Sequence, residues 1–295
     1  MMGYIVRGTA NEGNVRVFCA ITTDIVEEAR KVHNLSPVAS AALGRLLSAG
    51  TILGVMSKGE KDRTTITMNG GGEAGNLVVT TDSTGNVKGY IGNPSVTLPP
   101  SESGKLDVGG AVGKNGTLTI IKDLGLKEPY VGKVPIYTGE IGDDIAYYFA
   151  ASEQVPSAVV LGVLVDKDNM SIKSSGAIII QMMPGAPEML GDVITFRLEE
   201  IPPLSTLIAE GKTGEDILNM LFDDMDLVIH EKKEVHYICD CCRDRVEKTL
   251  ISLGESELNR IKEEEDTIGV ECHFCDKKYN FSSQDIEDLI KSAKA

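Results

Sequence analysis

Tryptophan is absent from this 295-residue chain, and there are only six phenylalanines and eight tyrosines. Its core must therefore be mostly aliphatic, with few flat rings on which bases or sugars could stack. Basic residues are also short, at 29 Lys and Arg against 44 Asp and Glu, for a formal net charge of -15. Such a charge repels phosphate backbones and anionic membranes and favours solubility. Long apolar runs are missing too. No stretch reaches the roughly eighteen residues that span a bilayer, and the most apolar one, Val38 to Met56, is interrupted by Arg45 and several Ser and Gly. The opening Met1-Met2-Gly3-Tyr4-Ile5-Val6-Arg7 lacks a basic region followed by an apolar segment. The expectation is a cytoplasmic protein with neither a nucleic-acid nor a membrane partner. In that reducing compartment clustered cysteines serve as metal ligands or redox sensors rather than as structural disulfides.

Catalytic motifs are approached but not met. Gly70, Gly72 and Gly75 fit G-x-G-x-x-G, yet a strand is expected next, where a dinucleotide site needs a helix N-terminus. Gly109 to Asn115 has Gly113-Lys114 but no early glycine in place, and Asn115 stands where magnesium needs Ser or Thr. His230-Glu231-Lys232-Lys233-Glu234 begins like a zinc-protease helix and lacks the second His. No enzyme is expected.

Turn signals and apolar periodicity organise the chain as α+β, with three parts: a largely antiparallel core over 1–182, a helical connector over 183–230 and a small terminal module over 231–295. Tyr4–Ala10 and Val15–Thr23 flank the turn cluster Asn11-Glu12-Gly13-Asn14 and predict a hairpin. Asp24 is expected to cap a helix reaching about Val32, and Ser36-Pro37 to open another. Strands are expected at 64–69, 76–81, 87–92, 117–123, 159–165 and 176–182, and a helix at 143–152. Short Gly-rich turns between strands favour antiparallel pairing. After Met183-Pro184-Gly185-Ala186-Pro187 the spacing turns helical, broken by Pro202-Pro203, Gly211 and Gly214. Helices this short depend on docking for their stability. The terminal module, entered by a strand flanked by His230 and His236, carries 11 basic and 16 acidic residues. It is expected to close with an amphipathic helix from Ser282 to Ala295, and at this size it needs a staple.

The candidates for that staple are among the five of six cysteines that lie in the last fifth of the chain, Cys239-Asp240-Cys241-Cys242 and, with thirty residues between Cys241 and Cys272, Cys272-His273-Phe274-Cys275. Two close thiol pairs at this separation are the spacing of a tetrathiolate zinc site. Cys239 with Cys242 makes an equally good C-x-x-C, so spacing alone leaves the first pair open. Zinc-bound thiolates remain nucleophilic toward oxidants, so the site suits either a structural metal or a redox switch. Cys19, alone on a strand, reads as a buried core thiol. His273 reads as a neighbour of the site rather than a ligand.

These residues carry a resemblance to the 33 kDa chaperonin family, the redox-regulated heat-shock holdases of bacteria. The match lies in Cys239-x-Cys241 and Cys272-x-x-Cys275, in Arg243-Asp244-Arg245-Val246, Leu253-Gly254 and Glu257-Leu258, in Gly104-Lys105-Leu106-Asp107-Val108, Ala111-Val112-Gly113 and Lys122-Asp123-Leu124-Gly125, and in Ser152-Glu153-Gln154-Val155-Pro156-Ser157 and Gln181-Met182-Met183-Pro184-Gly185. It extends over essentially the whole chain. It implies one Zn2+ per reduced chain, held by Cys239, Cys241, Cys272 and Cys275. Oxidation would form Cys239–Cys241 and Cys272–Cys275 disulfides and release the metal. The connector would then loosen, and an ATP-independent chaperone, homodimeric when oxidised, would hold unfolding proteins during oxidative stress. Cys242 stands where the family often has serine. Candidate client-binding residues are Leu204, Leu207, Ile208, Ile217, Leu218, Leu221 and Phe222. The rivals are a zinc-ribbon nucleic-acid binder, opposed by the charge, and a thiol-disulfide oxidoreductase, which needs one reactive C-x-x-C beside a βαβ unit.

Overall fold

The computed structural model describes residues 2–264 and 267–293. The chain divides into two compact units, Met1–Ile238 and Cys239–Ala295.

The first unit opens with the expected hairpin, β1 (Tyr4–Ala10) and β2 (Val15–Ile21), followed by α1 (Thr23–His33) and α2 (Pro37–Val55). A second sheet is built from β3 (Arg63–Asn69), β4 (Leu77–Asp82), β5 (Val87–Ile91), the short α3 (Val108–Val112), β6 (Thr117–Asp123) and β7 (Tyr130–Pro135). Next, α4 (Gly142–Tyr148) runs into a π-helical turn, Phe149–Glu153, and β8 (Ser157–Val165) and β9 (Ile172–Met182) return to the first sheet. Three connector helices follow, α5 (Met189–Glu200), α6 (Leu204–Ala209) and α7 (Gly214–Phe222), and then β10 (Val228–Glu234). The sheets are ordered β10-β1-β2-β9-β8 and β5-β4-β3-β6-β7, with every neighbouring pair antiparallel.

α2 is the centre of this unit. Ser36 caps it by accepting from the Ala39 amide at 3.2 Å, and Pro37 occupies its first turn. Arg45 and the small residues do not interrupt it. Every residue from Val38 to Val55 except Arg45 is buried, because the helix packs against strands of both sheets. A helix of 19 residues this apolar is long enough to cross a bilayer by composition alone, but here its apolar surface is spent inside the unit. Small residues let the strands close on it. A Cβ at Gly54 would lie 2.4 Å from the Asp82 carbonyl oxygen.

The central strands of the first sheet, β1, β2 and β9, are buried on both faces. Phe18, Ala20, Ala177 and Ile179 join the core with α2, and Val17, Cys19, Ile21, Ile178 and Ile180 join a second core with the connector helices. An antiparallel sheet usually shows one face to water; here the connector covers it. That is why β9 is buried without a break from Ser174 to Gln181.

Local details depart from expectation. Asp24 does not cap α1. It sits inside the first turn and accepts from the Gly3 amide at 2.8 Å, tying the chain start to the helix. β7 has no counterpart among the expected strands, since Gly132 and Pro135 weaken its signal, and both are tolerated because it is an edge strand. The expected boundary at 230/231 falls inside β10, which pairs with β1 because the open edge of the first sheet offers unmet backbone groups.

One titratable group fastens α1. Glu27 accepts two hydrogen bonds from Arg30 at 2.8 Å and one from the Ile172 amide at 2.9 Å. The Arg30 hydrogen bonds come first in holding its carboxyl down to about 2. A depressed carboxylate stabilises the fold above its unfolded pKa, and the stability is lost as pH falls through the folded value. Glu27→Gln is therefore expected to lower the denaturant midpoint at neutral pH. Its deficit against the natural chain should shrink between about pH 5 and about pH 2, as read by circular dichroism. A deficit that does not change with pH would show that the carboxylate charge is not what matters.

Candidate metal centre

The second unit contains α8 (Arg243–Ser252), α9 (Glu255–Glu264), a hairpin of β11 (Thr267–Glu271) and β12 (Lys278–Ser282), and α10 (Ser283–Ala293). Residues 294 and 295 of the expected closing helix lie outside the described residues. Among the described residues, the buried apolar side chains of this unit are Leu250, Leu258, Tyr279, Phe281, Ile286, Leu289 and Ile290. That is a small core for a folding unit.

Arg243 fastens the start of α8 to the hairpin. Its guanidinium lies 4.3 Å from the Phe281 ring centroid, donates to the Asn280 carbonyl at 2.9 Å, and pairs with Glu247 at 3.0 Å and Asp285 at 3.1 Å. Arg245 pairs with Asp240, between the first two thiols.

The hairpin loop presents Cys272 and Cys275. The Cys275 and Asp276 amides both donate to the Cys272 carbonyl, at 3.2 and 2.8 Å, and the Cys272 amide donates to the Lys277 carbonyl at 3.0 Å. Asp276 takes the left-handed conformation, φ 55°, that closes this turn and that Asp tolerates. Cys239 and Cys241 arrive on the irregular segment just before α8. All four sulfurs lie within 4.8 Å of one another, with Cys239 to Cys272 at 3.7 Å and Cys241 to Cys275 at 3.3 Å. Four thiolates around zinc at about 2.3 Å place their sulfurs about 3.8 Å apart, so the donor set and its spacing fit a tetrahedral ion. The four cysteines are positioned to hold a metal.

The electrostatics agree. Burial pushes the Cys239 and Cys275 thiols up. Burial also acts upward on Cys241, but the hydrogen bond from the Tyr279 hydroxyl at 3.1 Å and the neighbouring thiols outweigh it and bring Cys241 to about 7. Sulfurs this close cannot all ionise unaided, and a bound cation reverses that preference. Tyr279 was not singled out from the sequence. Its only signal is its place four residues after Cys275, on β12.

The remaining residues sort as follows. Cys242 is exposed, at the N-cap of α8, and stands outside the four-sulfur cluster. Cys19 is buried on β2, and burial pushes its thiol up to about 12. None of the four histidines joins the cluster. His230 accompanies Thr9 at 2.8 Å across β10 and β1. Leu204, Leu207, Ile217, Leu218, Leu221 and Phe222 are buried in the second core of the first unit, with Ile208 packed at its margin. A different apolar stripe is exposed. Met189, Val193 and Phe196 lie on the outer side of α5, 76, 37 and 63 % accessible. The helical spacing of residues 188–201 predicts this helix, but nothing in residue order marks the stripe as exposed.

Comparison with known proteins gives a consistent result. A family model described as "Hsp33 protein" matches residues 3–282. A 33 kDa chaperonin of Clostridium botulinum (strain Eklund 17B / Type B) is 55% identical over 293 residues, covering 99% of each chain. One from Clostridium beijerinckii is 54% identical over 294 residues, covering 100% of each. A crystal structure of the 33 kDa chaperonin (heat shock protein 33 homolog) from Thermotoga maritima superposes with TM-score 0.89 at 36% identity, covering 99% of each chain.

Outer contacts of this kind tune a metal site by about 10–100-fold in affinity. Tyr279→Phe removes the hydroxyl that donates to Cys241 while keeping the ring in the core. It is expected to weaken metal binding by about tenfold or more, measured by competition with a chromogenic chelator. Unchanged affinity would show that the hydroxyl does not support the site.

Proposed function

The chain belongs to the Hsp33 family, and from that premise we propose that it is a redox-regulated, ATP-independent holdase that binds unfolding proteins under oxidative stress. The observation that carries this reading is a cluster of four thiols in a module whose own apolar core is small.

In the reduced chain Cys239, Cys241, Cys272 and Cys275 hold one zinc ion. When bound, zinc offsets half of the thiolate charge and ties two arms of the module together, contributing roughly 10–16 kcal/mol of apparent binding free energy. That is as large as the whole stability of an ordinary domain. Peroxide takes two electrons from each thiolate pair. The O–O bond breaks, two protons are taken up, two waters leave, and one disulfide forms. The proposed pairs are Cys239–Cys241 and Cys272–Cys275, and all four sulfurs are near enough for either pair to close. A disulfide no longer supplies the thiolates the metal needs, and the module loses its staple.

The proposed division of labour is a core over 1–182, a connector over 183–230 that loosens, and a switch module over 231–295. The compact units meet after Ile238, so β10 travels with the core while the switch is closed. Client contact is proposed for Leu204, Leu207, Ile208, Ile217, Leu218, Leu221 and Phe222, which are covered in the closed state, together with the already exposed Met189, Val193 and Phe196. Burying such surface against a client contributes roughly 25 cal/mol per Å². The active form is proposed to be a homodimer in the cytoplasm, with no enzymatic turnover and no nucleic-acid or membrane partner.

Light scattering from an aggregating client, followed together with chelator-detected zinc, tests the reading. Suppression is expected only after peroxide treatment and in step with about one equivalent of zinc per chain. Zinc release without suppression would leave the thiols a purely structural site.

A further inference from the structure

β10 is a weak strand lying on a strong template. β1 buries Tyr4, Ile5, Val6, Gly8 and Ala10. β10 is Val-Ile-His-Glu-Lys-Lys-Glu, and all of it is exposed except Lys233, which is partly covered. Its hold on β1 is backbone pairing, from Tyr4 opposite Glu234 to Thr9 opposite Val228, with a register shift between Arg7 and Gly8. Side-chain contacts at the surface, such as Arg7 to Glu231 at 3.0 Å, contribute little to stability. Lysines and glutamates on an edge keep foreign strands from pairing there.

The same strand also fastens a connector helix. The Lys232 ammonium lies 4.1 Å from the Tyr4 ring centroid and 2.7 Å from Glu215 in the first turn of α7. The Tyr4 hydroxyl accepts from the Gly214 amide at 2.9 Å. Tyr4 therefore joins the edge that β10 covers to the face that α7 covers. Beyond β10 the chain stays pinned, with the Val235 amide on the Gly3 carbonyl at 3.0 Å and the Ile238 amide on the Val87 carbonyl at 3.0 Å. The next residue is Cys239, first of the four thiols.

We propose that β10 is a removable placeholder: when it is released, an extended segment of an unfolding polypeptide pairs with β1 in its place, its apolar side chains entering the face that α7 vacates. This rests on the redox-holdase reading above. It names the kind of client segment, one with alternating apolar residues, and the site it takes. Backbone pairing supplies affinity for any extended chain. Selectivity comes from the positions opposite Tyr4 and Val6, where Glu234 and Lys232 now sit and where an apolar residue would extend the core.

Gly8 gives a handle. A Cβ there would lie 2.5 Å from the Val228 carbonyl oxygen, and its three nearest atoms all belong to the β10 backbone. Gly8→Ala therefore disturbs β10 while leaving the four thiols intact.

The test is hydrogen–deuterium exchange on the full chain, reduced with zinc, oxidised, and oxidised with reduced and carboxymethylated α-lactalbumin as a permanently unfolded client. Oxidation is expected to speed exchange of the β1 amides facing β10 by about tenfold or more, and the client to restore their protection. Reduced, zinc-loaded Gly8→Ala is expected to suppress aggregation with its zinc content unchanged. The inference is overturned if oxidised protein holds the client while β1 stays paired with β10, or if β1 exchanges fast in the client complex. It is equally overturned if Gly8→Ala frees the β1 edge without suppressing aggregation. Oxidised natural chain that fails to hold the client defeats the holdase reading itself, a result distinct from these.

Discussion

Four sulfurs within 4.8 Å of one another set the terms for the rest of the molecule. Burial and mutual proximity oppose ionisation of Cys239 and Cys275, whereas a soft divalent cation favours four thiolates. The module has few other resources: a short hairpin, three helices and a small aliphatic and aromatic core tied by Arg243. A fold that leans this heavily on one coordination centre changes state when the chemistry of that centre changes. This dependence makes the module suited to switching.

The first unit is built differently, and the contrast matters. Its central helix α2 is buried between two sheets, and the hairpin β1–β2 is among its most enclosed elements. The outer face of the first sheet is covered by three short helices separated at Pro202-Pro203 and around Gly211. Such helices hold because they dock, not because they are stable alone. A robust scaffold thus carries a cover of low intrinsic stability, and the segment from 228 to 238 links that cover to the first thiol. Low local stability is the usual property of elements that open.

Some of this was legible in residue order. The hairpin at Asn11 to Asn14, the cap at Ser36-Pro37, the helical spacing of the connector and the paired thiols each rest on local chemistry, and each appears where expected. Other features were not. Asp24 looked like a cap and became a tie to Gly3, because the fold brought that amide to it. β7 pairs in spite of Gly132 and Pro135, because only an edge would accept them. Arg45 looked like a break in an apolar run, yet its guanidinium reaches Glu140 and α2 continues.

The sequence by itself determined the two thiol-bearing segments, the antiparallel α+β character and the acidic, aromatic-poor composition, since all of these follow from residue identity and spacing; that Cys241 rather than Cys242 joins the cluster is read from the structure. Only the tertiary structure decided that the seven connector residues are covered, that the strand before Cys239 belongs to the first sheet, and that Tyr279 donates to Cys241. Those outcomes depend on which edges and faces remain unmet once the core has closed, and contacts between residues far apart in the chain leave no periodicity to read.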